Sequence, residues 1–361
     1  MIARIAALTA LAALVLTLPA CAGAGPDPGP VSESGLEPGG EPARVLLVGD
    51  SVTQGSAGDW TWRYRLWQHL EASGAEVDLV GPADQVAGAT AGDPDLGYAD
   101  PDFDRDHASR WGRSFAGTDW SIGELVEAHD PDVVVELLGI NDVLGLRATA
   151  QELVERARTF VADARAADPQ LDIVLAELPQ TWFDEVSAYD QALGDLAEEL
   201  ATDGSDVVVA RPAEAFVRDV DTYDPVHPSP SGEVKIAAGV ADALARLDIG
   251  EAYPRPLPDA EPVPTRPAEL TAVTAPGAAR LSWRPPPGGW TAYVWRRNAT
   301  QDEDWLRLPV GITDTEWTSA GLIGGDTYEF RLQMAKGTSE SEIFSNVVSV
   351  VPGAPEPAGA P

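Results

Sequence analysis

The chain is poor in cysteine and in lysine. Cys21 is the single cysteine among 361 residues, so no disulfide can close within the chain and no zinc site built from cysteine pairs is available. Only Lys235 and Lys336 of the 24 basic residues are lysine, a bias that reads as composition with no functional content. Positive charge is scarce altogether, since 58 acidic residues leave a net charge of −34. A chain of that sign repels phosphates, which excludes an electrostatic nucleic-acid binder. The one long apolar run, Ile5 to Leu18, is too short for a comfortable membrane span. What is present is a chain 44% hydrophobic, long enough for a substantial core and for about two domains, so global disorder is excluded.

Residues 1–20 place Arg4 ahead of that apolar run and contain no acid, as the h-region of a signal peptide does. Leu18-Pro19-Ala20-Cys21 resembles the lipobox of bacterial lipoproteins, which implies lipidation at Cys21 and a tether on the outer face of the cytoplasmic membrane. Pro19 departs from the commonest lipobox residues, and plain secretion after Ala20-Cys21-Ala22 is the alternative. Residues 21–43, rich in Gly, Pro and acid, read as a disordered spacer.

From 44 to 248 short apolar runs alternate with helical patterns. Strands are expected at 45–48, 77–80, 133–138, 173–178 and 207–210, and helices at 60–73, 121–129, 149–167, 186–202 and 231–247. Such an alternation implies a parallel sheet covered on both faces, a doubly wound α/β fold. Residues 249–265 form a stiff linker, with five prolines between Tyr253 and Pro264. Seven short alternating runs follow between 266 and 352, the pattern of a β-sandwich, and 353–361 is a disordered tail. The sandwich segment resembles a fibronectin type III module through Trp283, the Leu322…Tyr328 spacing of a tyrosine corner, and the closing run from Ser345-Asn346.

The chemistry-bearing residues sit just after expected strands, where ligands bind in open parallel sheets. Gly49-Asp50-Ser51 follows the first strand and offers Ser51 as a nucleophile. Gly139-Ile140-Asn141-Asp142 follows the third and offers an amide donor, and Asp224-Pro225-Val226-His227 follows the fifth. A serine hydroxyl needs a base to take its proton, and the base needs a carboxylate to fix its tautomer; His227 and Asp224, three apart on a proline-stiffened loop, supply both. The Gly-x-Ser-x-Gly elbow of the α/β-hydrolases appears nowhere.

These blocks resemble the SGNH or GDSL hydrolase superfamily over about residues 44–248. The resemblance implies a flavodoxin-like three-layer α/β/α fold, with Ser51 as nucleophile, His227 as base and then acid, and Asp224 as orienting carboxylate. It places the oxyanion among the Ser51 backbone N–H, the Asn141 side chain and a glycine N–H, here Gly112 in preference to Gly117. No cofactor or metal is required.

Other features read blandly. The acidic run from Asp93 to Asp106 lacks the glycine and closing glutamate of a calcium loop and is expected to be solvated. His107 is given no chemistry. Trp60, Tyr64 and Trp67 recur at helical spacing and are expected to pack helix against sheet. Trp290, Trp295, Trp305 and Trp317 exceed what a small core requires, and core filling is preferred for them over stacking on sugars.

The expected function is therefore an extracytoplasmic serine esterase working through an acyl-enzyme, with activity rising as His227 loses its proton. The stretch from Gly49 to Leu70 resembles extracellular bacterial relatives of carbohydrate acetylesterases, which favours short acyl groups on a glycan. Lysophospholipases and lipases of the same superfamily are the alternative, and a cell-surface binding protein with a non-catalytic scaffold is the rival. The fibronectin-like module is expected to be a spacer, or an element that binds cell-wall polysaccharide or protein.

Overall fold

The apolar runs become the strands of a sheet. In the computed structural model, which describes residues 41–88, 97–212, 214–263, 267–284, 286, 291–337 and 339–354, these are β1 (Ala43–Gly49), β2 (Val77–Val80), β3 (Ala108–Ser109), β4 (Val133–Leu137), β5 (Asp172–Ala176) and β6 (Val207–Ala210). All pair in parallel in the order β2-β1-β4-β5-β6, with β3 joined to the end of β1. Leu46, Val134 and Ile173 are fully buried, as strands covered on both faces must be. Strand order reverses between β1 and β4, so a crevice opens beyond their carboxyl ends. The signal peptide, Cys21, nearly all of the spacer and most of the tail lie outside the described residues.

The helices are α1 (Ser51–Gln54), α2 (Trp62–Ser73), α3 (Ile122–His129), α4 (Ile140–Leu146), α5 (Ala150–Ala167), α6 (Asp184–Leu200) and α7 (Pro230–Leu244). α5 starts on a capping box in which Thr149 and Glu152 satisfy each other's backbone N–H. α1 and α4 were not expected from the sequence, being too short to show an amphipathic period. They are nonetheless the elements that present Ser51 and Asn141.

Asp190 on α6 shows how burial alone moves a carboxyl. It accepts the Leu178 N–H at 2.9 Å, yet burial pushes it up to about 8. A raised native carboxyl contributes stability below its unfolded pKa, ~4, that is lost as pH rises toward the native value. Asp190→Asn is expected to raise Tm clearly at pH 8 and little at pH 5, read by thermal melts at both.

The C-terminal segment folds as two antiparallel sheets. Its strands are β7 (Glu269–Ala275), β8 (Ala278–Arg284), β9 (Thr291–Asn298), β10 (Leu306–Ile312), β11 (Glu316–Ala320), β12 (Tyr328–Lys336), β13 (Ser339–Phe344) and β14 (Val348–Val350). One sheet runs β11-β8-β7 and the other β10-β9-β12-β13 with β14 on β12, enclosing Leu281, Trp283, Val294, Phe330 and Leu332. The Tyr328 hydroxyl accepts the Ile323 N–H at 3.2 Å, the closure a tyrosine corner makes. The expectation of seven strands misses β13, whose sequence SESEIF carries too little apolar alternation to register. Trp305 lies against the Arg297 and Arg331 guanidiniums and Trp295 against Arg331 and Phe344, while Trp290 is outside the described residues.

One expectation needs correction. Trp60 and Tyr64 do not pack on the sheet; with Val86, Tyr98 and Phe103 they build a separate cluster under the loops that follow β2. The described residues of the sandwich belong to the same compact unit as the sheet domain. The linker lies along α2, where Trp60 donates to the Pro262 carbonyl and Arg65 to that of Glu261, each at 3.1 Å, and the His69 and Tyr253 rings meet at 4.6 Å.

Candidate active site

Ser51 is the first residue of α1, set directly off the end of β1. Asp50 caps that helix by accepting the Val52 N–H at 2.8 Å, and the buried Arg63 guanidinium holds its other end by donating to the Thr53 and Gln54 carbonyls. The nucleophile therefore stands on a turn fixed at both termini. Its hydroxyl lies 3.0 Å from His227 Nε2, and His227 Nδ1 lies 2.8 Å from Asp224 Oδ2. Residues 176 positions apart are brought into line by the switch point of the sheet and the loop after β6.

The spacing of Asp224 and His227 has a local cause. Asp224 Oδ1 accepts the Val226 and His227 backbone N–H groups at 2.8 and 2.9 Å, closing the turn, and this leaves Oδ2 for the imidazole. Burial pushes the Asp224 carboxyl up, but the hydrogen bonds from the His227 ring and the backbone, with the charge of His227, outweigh it and hold it at about 2. It therefore stays ionised beside the imidazole. Gln180 donates to the Val226 carbonyl at 2.7 Å and Trp182 to that of Pro225 at 3.1 Å, bracing the loop from the β5–α6 side. Trp111 stacks on His227 at 4.4 Å while 41% of its own surface stays exposed.

Asn141 arrives where expected, but its amide is occupied. Nδ2 donates to the Arg113 carbonyl at 2.9 Å and to Asp50 Oδ2 at 3.1 Å. An oxyanion must compete with one of these acceptors for an amide hydrogen. Burial pushes the Asp50 carboxyl up to about 7, and Glu136, buried beneath it, is raised well above the usual range by the same desolvation. The two glycines differ in geometry. Gly112 is the third residue of the turn Arg110–Arg113, closed by an N–H···O bond of 3.0 Å, and its φ of +79° is what a type II turn requires there. Among the described residues no acceptor takes its N–H, whereas the Gly117 N–H is spent on the Ser114 carbonyl at 3.1 Å.

A cleft of about 360 Å³ adjoins this corner, lined in part by Gln54, Gln85, Ser109, Arg110 and Arg113. His107 stands behind it with no free nitrogen: Nε2 meets the Gln85 carbonyl at 3.1 Å and Nδ1 accepts from Ser109. Burial, and then the Arg63 charge, lowers it well below the ordinary histidine range, so it is a neutral brace. Asp100 and Asp104 of the acidic run accept from Tyr64 and from the Leu79 N–H at 3.2 and 2.6 Å, while Asp93 and Asp95 fall outside the described residues.

Sequence reasoning missed the buried charges around the site. Both lysines, taken as compositional residue, are ion-paired: Lys235 to Asp221 at 2.7 Å and Lys336 to Asp59. Glu233 on α7 accepts from Thr61 at 3.0 Å and faces Arg65 at 3.4 Å. The available signal was rarity, since a chain that uses arginine elsewhere keeps lysine at two positions only.

Known proteins are similar to this chain in sequence and fold. Residues 47–234 match the family model of the GDSL-like lipase/acylhydrolase family. The chain is similar to a carbohydrate esterase family 3 protein from Talaromyces cellulolyticus, at 26% identity and a TM-score of 0.50, over 57% of this chain and 97% of that one. It is also similar to an acetyl esterase mutant solved with an acetate ion, at 26% identity and a TM-score of 0.49, with the same two coverages. The fn3 domain of human collagen alpha-1(XX) chain is similar to 27% of this chain over 93% of its own length, at 23% identity and a TM-score of 0.23. No curated protein matches the chain in sequence.

Proposed function

The chain belongs to the GDSL-like lipase/acylhydrolase family, and from that premise we propose that it removes short acyl groups, acetyl foremost, from carbohydrates outside the cytoplasm. The observation that carries the chemistry is the unbroken line from Ser51 through His227 to Asp224, at 3.0 and 2.8 Å. Ser51 Oγ attacks the ester carbonyl carbon as its proton passes to His227 Nε2. The imidazolium then protonates the departing alcohol, leaving an acyl group on Ser51. Water, deprotonated by the same nitrogen, attacks the acyl-enzyme and releases the acid. Asp224 holds the tautomer and stabilises the imidazolium.

The oxyanion is assigned to the Ser51 and Gly112 N–H groups and the Asn141 amide. Because such donors act only as charge develops, Asn141→Ala is expected to lower kcat by about 10²- to 10³-fold with KM little changed. Initial rates on p-nitrophenyl acetate read it, and an unchanged kcat removes Asn141 from the role.

Two observations support a carbohydrate ester over a lipid. The carbohydrate esterase from Talaromyces cellulolyticus is similar over 57% of this chain, and the adjoining cleft sets amide, carboxylate and guanidinium groups of Gln54, Gln85, Asp84, Arg110 and Arg113 among the apolar Pro82, Ala83 and Ala108, a mixed lining that a sugar ring can meet. A p-nitrophenyl ester series from acetate to palmitate tests this, with acetylated polysaccharide to follow. Turnover confined to short acyl chains supports the proposal; a preference for long chains moves it to a lipase or lysophospholipase. No serine-dependent turnover on any ester favours the binding-protein rival.

Location rests on the leader. Lipidation at Cys21 predicts that Cys21→Ser shifts the protein from the membrane fraction to the medium, and a wild-type protein already in the medium supports plain secretion. For the sandwich, binding of cell-wall polysaccharide or protein is part of the proposal. Co-sedimentation with isolated cell walls reads it, and a protein left wholly in the supernatant contradicts it.

A further inference from the structure

Lys336 and Gly337, at the end of β12, meet the catalytic domain directly behind the loop that carries Asp224 and His227. Lys336 is fully buried, pairs with Asp59, and reaches the Ala57 carbonyl at 3.4 Å. Its ammonium lies 4.9 Å from the centre of the Tyr223 ring. Gly337 follows with φ +55°, and a Cβ there would stand 2.4 Å from the Tyr223 carbonyl oxygen. The sandwich backbone is thus seated on the residue immediately before Asp224.

Tyr223 belongs to the catalytic loop's own framework. Its N–H donates to the His227 carbonyl at 2.9 Å, and the Ser229 N–H donates to that of Asp221 at 2.9 Å, so residues 221–229 form a narrow hairpin with Asp224 and His227 toward its tip. Lys235 pairs with Asp221 from the α7 side and Lys336 approaches Tyr223 from the sandwich side. Asp59 also receives the Ser56 backbone and hydroxyl hydrogens at 2.8 and 2.6 Å, which ties the same pair to the chain leaving α1 and hence to Ser51.

The sandwich brings a positive charge to two buried acids of the catalytic domain. Asp59 and Glu233 are buried acids, and Arg65 and Lys336 are the bases that face them. Burial, and then the Asp59 charge, pushes the Glu233 carboxyl up, while Arg65 and Lys336 pull it down. Without Lys336 the buried Asp59 loses the ammonium it pairs with, and uncompensated buried charge is relieved by water entry or movement of the loops that carry it.

We propose that the β-sandwich is a working part of the active site: through Lys336 and Gly337 it holds Tyr223, and with it the Asp224–His227 loop, in the alignment that Ser51 needs. Lys336 is a positioning residue, touching no reacting atom. This rests on the roles proposed above for Asp224 and His227.

The test uses the full-length protein. Lys336→Met is expected to lower kcat on p-nitrophenyl acetate by about tenfold or more with KM near wild type, because misplacing a base by a fraction of an ångström acts on the chemical step. Amide hydrogen exchange over residues 219–229, read by mass spectrometry without substrate, is expected to quicken in the same variant. Adding Asp59→Asn to Lys336→Met removes the stranded charge and is expected to recover most of the lost kcat, which a general loss of packing would not allow. Gly337→Ala, which leaves the charges intact and pushes on Tyr223, is expected to reproduce the kcat loss, and it decides the matter if Lys336→Met does not fold. Wild-type kcat and wild-type exchange in either folded variant overturn the proposal. A wild-type protein that turns over no ester sinks the esterase reading instead, and the exchange comparison still decides the clasp.

Discussion

Ser51→Ala is expected to abolish ester turnover, with a fall in kcat of about 10⁶-fold to a residue of catalysis owed to binding and oxyanion donors alone. The size of the effect follows from the geometry. Ser51 is the only hydroxyl at 3.0 Å from His227 Nε2 among the described residues, and the second imidazole nitrogen is already committed to Asp224. Among the described residues no neighbouring nucleophile stands ready to take its place: the nearby Ser109 hydroxyl is bonded to His107, whose other nitrogen meets a backbone carbonyl. The fold should be untouched, since α1 is held by Asp50 and Arg63 and not by the serine hydroxyl. Steady-state rates on p-nitrophenyl acetate, with a thermal melt in parallel, check both halves of the statement.

The second large effect is expected at Asp224. In Asp224→Asn the carbonyl oxygen can still accept the Val226 and His227 N–H groups, so the turn persists. The amide nitrogen then faces His227 Nδ1 as a donor, which forces the hydrogen onto Nε2 and leaves no lone pair to receive the Ser51 proton. A loss of about 10⁴-fold in kcat is the expected cost of the wrong tautomer. Stability carries its own signature. The wild-type carboxyl is held at about 2, below its unfolded value, so its contribution is present above pH ~4 and lost as pH falls toward 2. Asp224 is partly exposed, so solvent screening keeps that contribution small, and the variant should lack it. Acid-unfolding curves of the two proteins should therefore converge at low pH.

Much of this site is legible in the sequence because its parts lie at strand ends. The runs before Ser51 and Asn141 are continuous and apolar, so the end of each strand, and with it the sheet edge, can be read to within two residues. Asp224 and His227 carry their own geometry, since one carboxylate both closes a three-residue turn and orients a ring within it. What was not legible depends on distant segments meeting. The amide of Asn141 reads as a free donor because nothing near it in the chain announces that Asp50 and the Arg113 carbonyl will occupy both its hydrogens. β13 is polar enough to pass for a loop, and the ion pair of Lys336 with Asp59 joins residues 277 positions apart. Trp60 and Tyr64 have a helical period that predicts a buried face correctly, but periodicity names no partner, and the partner is a loop.

The central claim is a covalent acyl-enzyme on Ser51, and it can be trapped. Purified protein mixed with p-nitrophenyl acetate, quenched in acid within the first turnovers, digested and mapped by mass spectrometry should carry one acetyl group on the peptide containing Ser51. That adduct should be missing from Ser51→Ala and nearly so from His227→Ala. Serine-dependent turnover with no acetyl group on that peptide, or an acetyl group found on another residue, would contradict the account.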